Sequence, residues 1–121
     1  MRSADASKVF EALSSAVRLE TFRLLVRHEP TGLVAGEIAT ALGVTPANLS
    51  FHLKTLTHAG LVAVTSEGRF QRYRALLPAV QALVAFLTDE CCQGHPEQCV
   101  DALASVSCRP AKTARPRVAA K

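Results

Sequence analysis

Residues 34–62, VAGEIATALGVTPANLSFHLKTLTHAGLV, predict two short helices joined by a tight turn. In the first half, apolar residues fall at helical spacing over residues 35–42, at Ile38, Ala39 and Leu42. Gly43 follows at the position where glycine commonly ends a helix in the left-handed conformation. The first half is therefore predicted to be a helix that ends at this glycine.

A second helix is expected to begin at once. Thr45 suits an N-cap and Pro46 suits the first helical position. The helix then runs to about Ala59, with a stripe of leucines that is predicted to be buried, at Leu49, Leu53 and Leu56. Two short helices joined by a turn that contains glycine predict a helix-turn-helix.

Two amphipathic helices are predicted before this motif, over 7–14 and 16–28, with Ser15 as the N-cap of the second. Their inward residues are expected to be Val9, Phe10 and Leu13, and Leu19, Phe22, Leu25 and Val26. The motif is followed by a β-hairpin, LVAVTS and RFQRYRAL, with Glu67 and Gly68 as turn residues.

Pro78 opens a last helix with a long apolar stripe, at Val80, Leu83, Val84, Leu87 and Cys91. A stripe of this length predicts packing against a second copy of the chain. The predicted fold is α+β, mainly α: a winged helix-turn-helix of order α-α-α-α-β-β-α that forms a homodimer.

Composition bounds the class of protein. The 121 residues, 49% hydrophobic, are enough for one domain, and the formal net charge is +4. Five basic residues and no acidic one lie in 109–121, so 1–108 carry nine basic against ten acidic residues. The placement of charge, rather than its total, must therefore support any DNA-binding role. With no signal peptide and no apolar run near the roughly 20 residues of a membrane span, we expect a cytoplasmic protein with no membrane partner.

The second motif helix carries a candidate DNA-reading face opposite its leucines. Small polar side chains suit base edges, Phe51 suits a thymine methyl and Lys54 suits a phosphate. A solvated helix face is the alternative, but an exposed aromatic more often marks a contact surface. The predicted DNA-binding residues of this helix are Thr45, Ala47, Asn48, Ser50, Phe51, His52 and Lys54.

The predicted hairpin adds basic charge beside this face. Arg69, Arg72 and Arg74 stand against a single acidic residue, Glu67. A basic ribbon of this kind is expected to lie along a phosphate backbone.

These segments, residues 34–62 with EGRFQRYRAL, resemble the ArsR/SmtB family of dimeric winged-helix repressors, over about residues 5–92. The resemblance implies operator DNA as partner, release of that DNA on binding a metal or metalloid, and a dimer interface formed by the first and last helices. It also implies a DNA-binding and dimerisation domain over 1–92 and an inducer-binding segment over 93–108. The basic tail over 109–121 is rich in Pro and Ala and has no periodicity, so it is predicted to be disordered. Val34 and Gly36 occupy the positions where the family's best-known arsenic sensors carry a Cys-x-Cys pair, so an inducer site must lie elsewhere.

The segment CCQGHPEQC, residues 91–99, is the candidate inducer site, and it resembles the arsenite-responsive family members with cysteines after the last helix. Adjacent helical residues point about 100° apart, so Cys91 and Cys92 share one ion only if the helix ends there. Gly94 and Pro96 predict that ending, and a short helix after it lets Cys99 approach the other two thiols.

Three thiolates suit trivalent arsenic, which takes three sulfurs in a pyramid. Zinc, cadmium or lead would be expected to recruit a fourth ligand, His95 or Cys108. The surrounding carboxylates favour a divalent cation and oppose thiol ionisation, whereas neutral arsenous acid is not repelled; they are Asp89, Glu90, Glu97 and Asp101. The expected inducer is As(III), followed by Zn, Cd or Pb, and no further cofactor is required.

Several alternatives stay open at this point. The cysteines could be small apolar residues on helix stripes, or they could form a redox switch. A thiol-based enzyme fits poorly, because the chain has no Cys-x-x-Cys motif and no cofactor loop. A winged helix that binds protein instead of DNA is a further alternative. The sequence predicts a repressor rather than an enzyme.

Overall fold

The computed structural model of the chain describes residues 1–89 and confirms the α+β winged helix-turn-helix fold. Within this range lie five helices and a three-stranded sheet, in the order α1 (Ser3–Leu13), α2 (Ala16–Arg27), β1 (Leu33–Val34), α3 (Ala35–Leu42), α4 (Pro46–His58), β2 (Val62–Glu67), β3 (Phe70–Ala75) and α5 (Leu77–Thr88).

Local capping sets the helix boundaries that the sequence predicts. The backbone N–H of Arg18 donates to Ser15 Oγ over 3.4 Å at the start of α2. The N–H of Asn48 donates to Thr45 Oγ1 over 3.2 Å at the start of α4. Gly43, at φ 67°, ends α3 in the left-handed conformation. Each cap satisfies a backbone group that the helix leaves unpaired, so these boundaries follow from neighbouring residues alone.

The sheet contains one strand that the sequence does not predict. β1 pairs antiparallel with β3, Leu33 opposite Tyr73, and makes β3 the central strand in the order β1-β3-β2. Two residues are too few to show an alternating pattern, and β1 depends on hydrogen bonds to residues 40 positions away. The hairpin turn also lies one residue later than predicted, because Glu67 still pairs with Phe70 and the turn falls on residues 68 and 69.

The core forms around α4. The predicted leucine stripe is buried, since Leu49, Leu53 and Leu56 are each at most 1% exposed. They pack with buried residues of α2, α3 and the sheet, among them Leu25, Ile38, Leu61 and Val62. Because α4 is held along its whole buried side, its opposite side is fixed relative to the rest of the domain.

Three residues that we expected to face inward are exposed. Phe10, Leu19 and Val26 are 49%, 40% and 36% exposed. The predicted Val9 is buried, and the other buried residues of α1 are Ala6 and Ala12, so the stripe consists of small side chains. A helical pattern identifies an apolar stripe but leaves its rotation open when small and large apolar residues adjoin.

The last helix is apolar almost all round but poorly covered by the described residues 1–89. α5 begins at Leu77, one residue before the predicted Pro78, and Leu83 is its one buried residue. Leu87, on the predicted stripe, is 57% exposed. No helix within residues 1–89 is long and apolar enough to cross a membrane.

Candidate nucleic-acid interface

The exposed side of α4 carries most of the predicted reading residues. Outside the buried leucines, Phe51 is 65% exposed. The other exposed members of the set are Thr45, Ala47, Asn48, Ser50 and Lys54. Thr45 also caps the helix, so its hydroxyl already accepts a backbone hydrogen bond. Polar donors around an exposed aromatic ring form a surface that suits a major groove.

His52, which the sequence places in the same set, is directed toward α2 rather than the exposed side. Its Nδ1 lies 3.1 Å from Arg18 Nη1. Arg18 also donates through Nε to the carbonyl oxygen of Ala12, over 2.6 Å. The His52 ring meets Phe51 edge to face, with 5.6 Å between ring centroids. The half-buried His52 therefore joins α4 to α1 and α2, and it lies behind the reading residue Phe51.

The β2–β3 hairpin, residues 62–75, is the wing of this fold, and two of its three arginines are paired with carboxylates. Arg72 Nε lies 2.9 Å from Glu67 Oε2, and Arg74 Nη2 lies 3.1 Å from Glu29 Oε1. Sequence reasoning counted Glu67 but missed Glu29, which is 45 residues from Arg74 along the chain. Within residues 1–89, Arg69 at the hairpin turn makes no ion pair or side-chain hydrogen bond. The wing is therefore less basic than its three arginines suggest, and the arginine at its tip, Arg69, is the one that carboxylates of residues 1–89 leave unpaired.

A cleft of about 200 Å³ separates α4 from the inner side of the sheet, and sequence reasoning did not identify it. The residues that line it are Ser50, Lys54, Thr57, His58, Val64 and Tyr73. Side chains alternate between the two faces of a strand, so the sequence of β3 already places Tyr73 on the face opposite Arg72 and Arg74.

The predicted inducer residues lie outside the described part of the chain. They are Cys91, Cys92 and Cys99, with the possible additional ligands His95 and Cys108. Within residues 1–89 no three His, Cys, Asp or Glu side chains are grouped so that they could hold a metal ion.

A helix-turn-helix whose second helix is exposed on one side, followed by a β-hairpin, defines a winged helix-turn-helix protein of the DNA-binding class. A family model described as a helix-turn-helix domain matches residues 13–65. The HTH-type transcriptional regulator CmtR of Mycobacterium tuberculosis (strain ATCC 25618 / H37Rv) is 36% identical over 100 residues, which cover 76% of this chain and 82% of that protein.

Solved structures agree with this class. An ArsR-like transcriptional regulator from Rhodococcus sp. RHA1 superposes with a TM-score of 0.65 at 28% identity, over 86% of this chain and 93% of that one. The homodimeric winged helix-turn-helix DNA-binding domain of a possible ArsR-family regulator from Mycobacterium bovis superposes with a TM-score of 0.59 at 30% identity, over 76% of this chain and 85% of that one. The chain belongs to the ArsR family of winged helix-turn-helix transcriptional regulators. It is a DNA-binding regulator and not an enzyme.

Proposed function

We propose that this protein is a cytoplasmic repressor that binds operator DNA as a homodimer and releases it when trivalent arsenic binds its cysteine thiolates. The observation that supports DNA binding best is that α4 is buried on one side and exposed on the other. Its buried side is locked into the core, while Phe51 and polar side chains remain exposed on the other. A rigid helix with this surface enters a major groove without reorganising, and the unpaired Arg69 of the wing contacts the neighbouring backbone.

A homodimer accounts for the apolar residues that the described part of the chain, residues 1–89, leaves uncovered. Phe10 on α1 and Leu87 on α5 are about half exposed, on the two helices expected to form the interface. A second copy would cover them and hold two recognition helices about one DNA turn apart, roughly 34 Å. In this proposal residues 1–92 bind DNA and dimerise, residues 93–108 bind the inducer together with Cys91 and Cys92, and the basic tail 109–121 adds sequence-independent affinity.

The proposed sensor consists of Cys91, Cys92 and Cys99, which are three of the four cysteines of the chain. Exchange of the hydroxyls of arsenous acid for three thiolates would draw these residues together at the end of α5, the helix expected to form the dimer interface. The dimer would then be biased toward a spacing of recognition helices that no longer fits the operator. Linkage requires operator DNA to weaken inducer binding by the same factor.

The test is fluorescence anisotropy of the reduced protein on DNA from upstream of its own gene, titrated with arsenite, zinc, cadmium, lead or hydrogen peroxide. We expect arsenite to release the wild type and Cys108→Ser, but not Cys92→Ser. Retention of DNA by the wild type at saturating arsenite would refute the arsenic sensor. Binding to no upstream fragment would refute the repressor itself.

A divalent-metal sensor of the same fold is the second candidate. Four carboxylates flank the cysteines, at Asp89, Glu90, Glu97 and Asp101, and they attract zinc, cadmium or lead but not neutral arsenous acid. Release by cadmium or zinc alone would favour this candidate. Release by peroxide that dithiothreitol reverses would instead make the protein a thiol redox sensor.

A further inference from the structure

The cleft between α4 and the sheet holds polar donors that have no partner in the protein. Ser50 and Lys54 enter it from α4, and Tyr73 enters it from β3. Within residues 1–89 the two hydroxyls and the ammonium group make no side-chain hydrogen bond or ion pair. The neighbouring Thr57 differs, because its hydroxyl donates to the carbonyl oxygen of Leu53 over 2.8 Å. Three donors are thus available to a ligand in one place.

The lining of the cleft is suited to an anion. Among the described residues that line it are one lysine and one histidine, Lys54 and His58, and no carboxylate. Its volume of about 200 Å³ is several times the ~30 Å³ that one water molecule occupies in the liquid. The cleft therefore has room for a group larger than water, such as a phosphate. Phosphate oxygens only accept hydrogen bonds, and the free groups here include an ammonium, which only donates.

The protein holds these donors in place before any ligand binds. The ring of Tyr73 packs against the core, and its strand is paired on both sides, with Leu33 of β1 and Val64 of β2. Ser50 and Lys54 each adjoin a buried leucine of α4, Leu49 and Leu53. A ring with few rotatable bonds on a central strand presents its hydroxyl at little entropic cost.

We propose that this cleft binds one phosphate of the DNA backbone through the Tyr73 hydroxyl, the Ser50 hydroxyl and the Lys54 ammonium group. The proposal rests on the proposed function, in which α4 occupies a major groove and the wing lies beside it. The backbone that borders the major groove then passes between helix and wing, where the cleft opens. Ser50, which sequence reasoning favours for base edges, is thereby assigned to positioning the protein rather than to reading bases.

The first test uses a duplex that the wild-type protein selects from random sequence, together with an unrelated duplex. Tyr73→Phe removes only the hydroxyl, and we expect it to weaken binding to both duplexes about tenfold, as loss of one charge-assisted hydrogen bond predicts. Lys54→Gln should lower the slope of log K against log salt concentration by about 1. Thr21→Val is the matched control, because the Thr21 hydroxyl donates to the carbonyl oxygen of Val17 over 2.7 Å and does not line the cleft, and this variant should bind like the wild type.

The second test locates the phosphate. Single phosphates of the selected duplex are replaced by uncharged methylphosphonates. At one position in each half-site wild type and Tyr73→Phe should then bind the modified duplex with equal affinity, because the variant has already lost the contact that the replacement removes. If the losses from Tyr73→Phe and from phosphate replacement were additive at every position, or if Tyr73→Phe bound DNA like the wild type, the proposed phosphate-binding cleft would be overturned and the proposed function would not. If the wild-type protein selected no duplex, the proposed function would be overturned, and the proposed phosphate-binding cleft with it. Matching thermal unfolding curves exclude misfolding as the cause.

Discussion

The contact between Arg18 and His52 allows a quantitative prediction about how the recognition helix is held. Arg18 Nε donates to the carbonyl oxygen of Ala12 over 2.6 Å, and its Nη1 lies 3.1 Å from His52 Nδ1. One guanidinium therefore connects the end of α1, the start of α2 and the middle of α4. Because Nδ1 accepts this hydrogen bond, His52 must carry its proton on Nε2.

Loss of these bonds should destabilise the fold by a measurable amount. Hydrogen bonds to charged groups contribute about 1.5–3 kcal/mol each, and partial burial favours the lower end, so Arg18→Met should cost about 3 kcal/mol. His52→Phe removes one bond but keeps the ring beside Phe51, so it should cost about 1.5 kcal/mol. The double variant should cost about 3 kcal/mol rather than the sum of about 4.5, a coupling of about 1.5 kcal/mol.

Urea denaturation followed by circular dichroism measures these free energies, at one protein concentration because a dimer's stability depends on it. Arg23→Met is the matched control: Arg23 lies on the same helix in an exposed pair with Glu20 at 3.4 Å, and its loss should cost less than about 0.5 kcal/mol. Additivity of Arg18→Met and His52→Phe within about 0.3 kcal/mol would refute the argument. We also expect both variants to bind DNA more weakly, since His52 supports Phe51.

Four further predictions concern single positions. Gly32→Ala should lower the free energy of unfolding in urea by more than about 2 kcal/mol, because φ at Gly32 is +76° and a Cβ there would meet the central strand. Gly36→Ala, with open space around its Cβ, should be neutral or slightly stabilising. Equal effects of the two substitutions would contradict this prediction. Phe51→Ala, at an exposed site, should change stability by less than about 0.5 kcal/mol yet reduce the preference for the selected duplex over unrelated DNA by about tenfold in anisotropy titrations; unchanged preference would remove Phe51 from base reading. Leu87→Glu should convert dimer to monomer in sedimentation velocity, and a persistent dimer would exclude α5 from the interface. Arg69→Gln should lower the salt slope of DNA binding by about 1, and an unchanged slope would mean that the wing tip does not contact phosphate.

The helix-turn-helix was predictable from sequence because its determinants are local. Thr45 caps the helix that follows it, Gly43 ends the helix before it, and the leucines of α4 recur at helical spacing. Each of these features acts between residues at most four positions apart. The predicted range of α3, 35–42, therefore matches the observed helix, and α4 ends within one residue of the expected Ala59.

The candidate site was predicted only in part, because its electrostatics depend on residues far apart in the chain. Exposure of Phe51 and Lys54 follows from their position opposite the leucines. The pairing of Arg74 with Glu29 does not follow from any pattern, since 45 residues separate them. The same holds for His52, whose partner Arg18 is 34 residues away.

The sequence by itself determined the order of the helices and the hairpin, the caps at Ser15, Gly43 and Thr45, and the face of α4 that is buried. It also determined that all four cysteines lie within residues 91–108. Tertiary structure decided which charges remain free, because ion pairing depends on distance in space rather than along the chain. It also decided that β1 exists, which requires pairing with β3 about 40 residues away, and that Tyr73 faces α4 across a cleft, which depends on how the sheet packs against that helix.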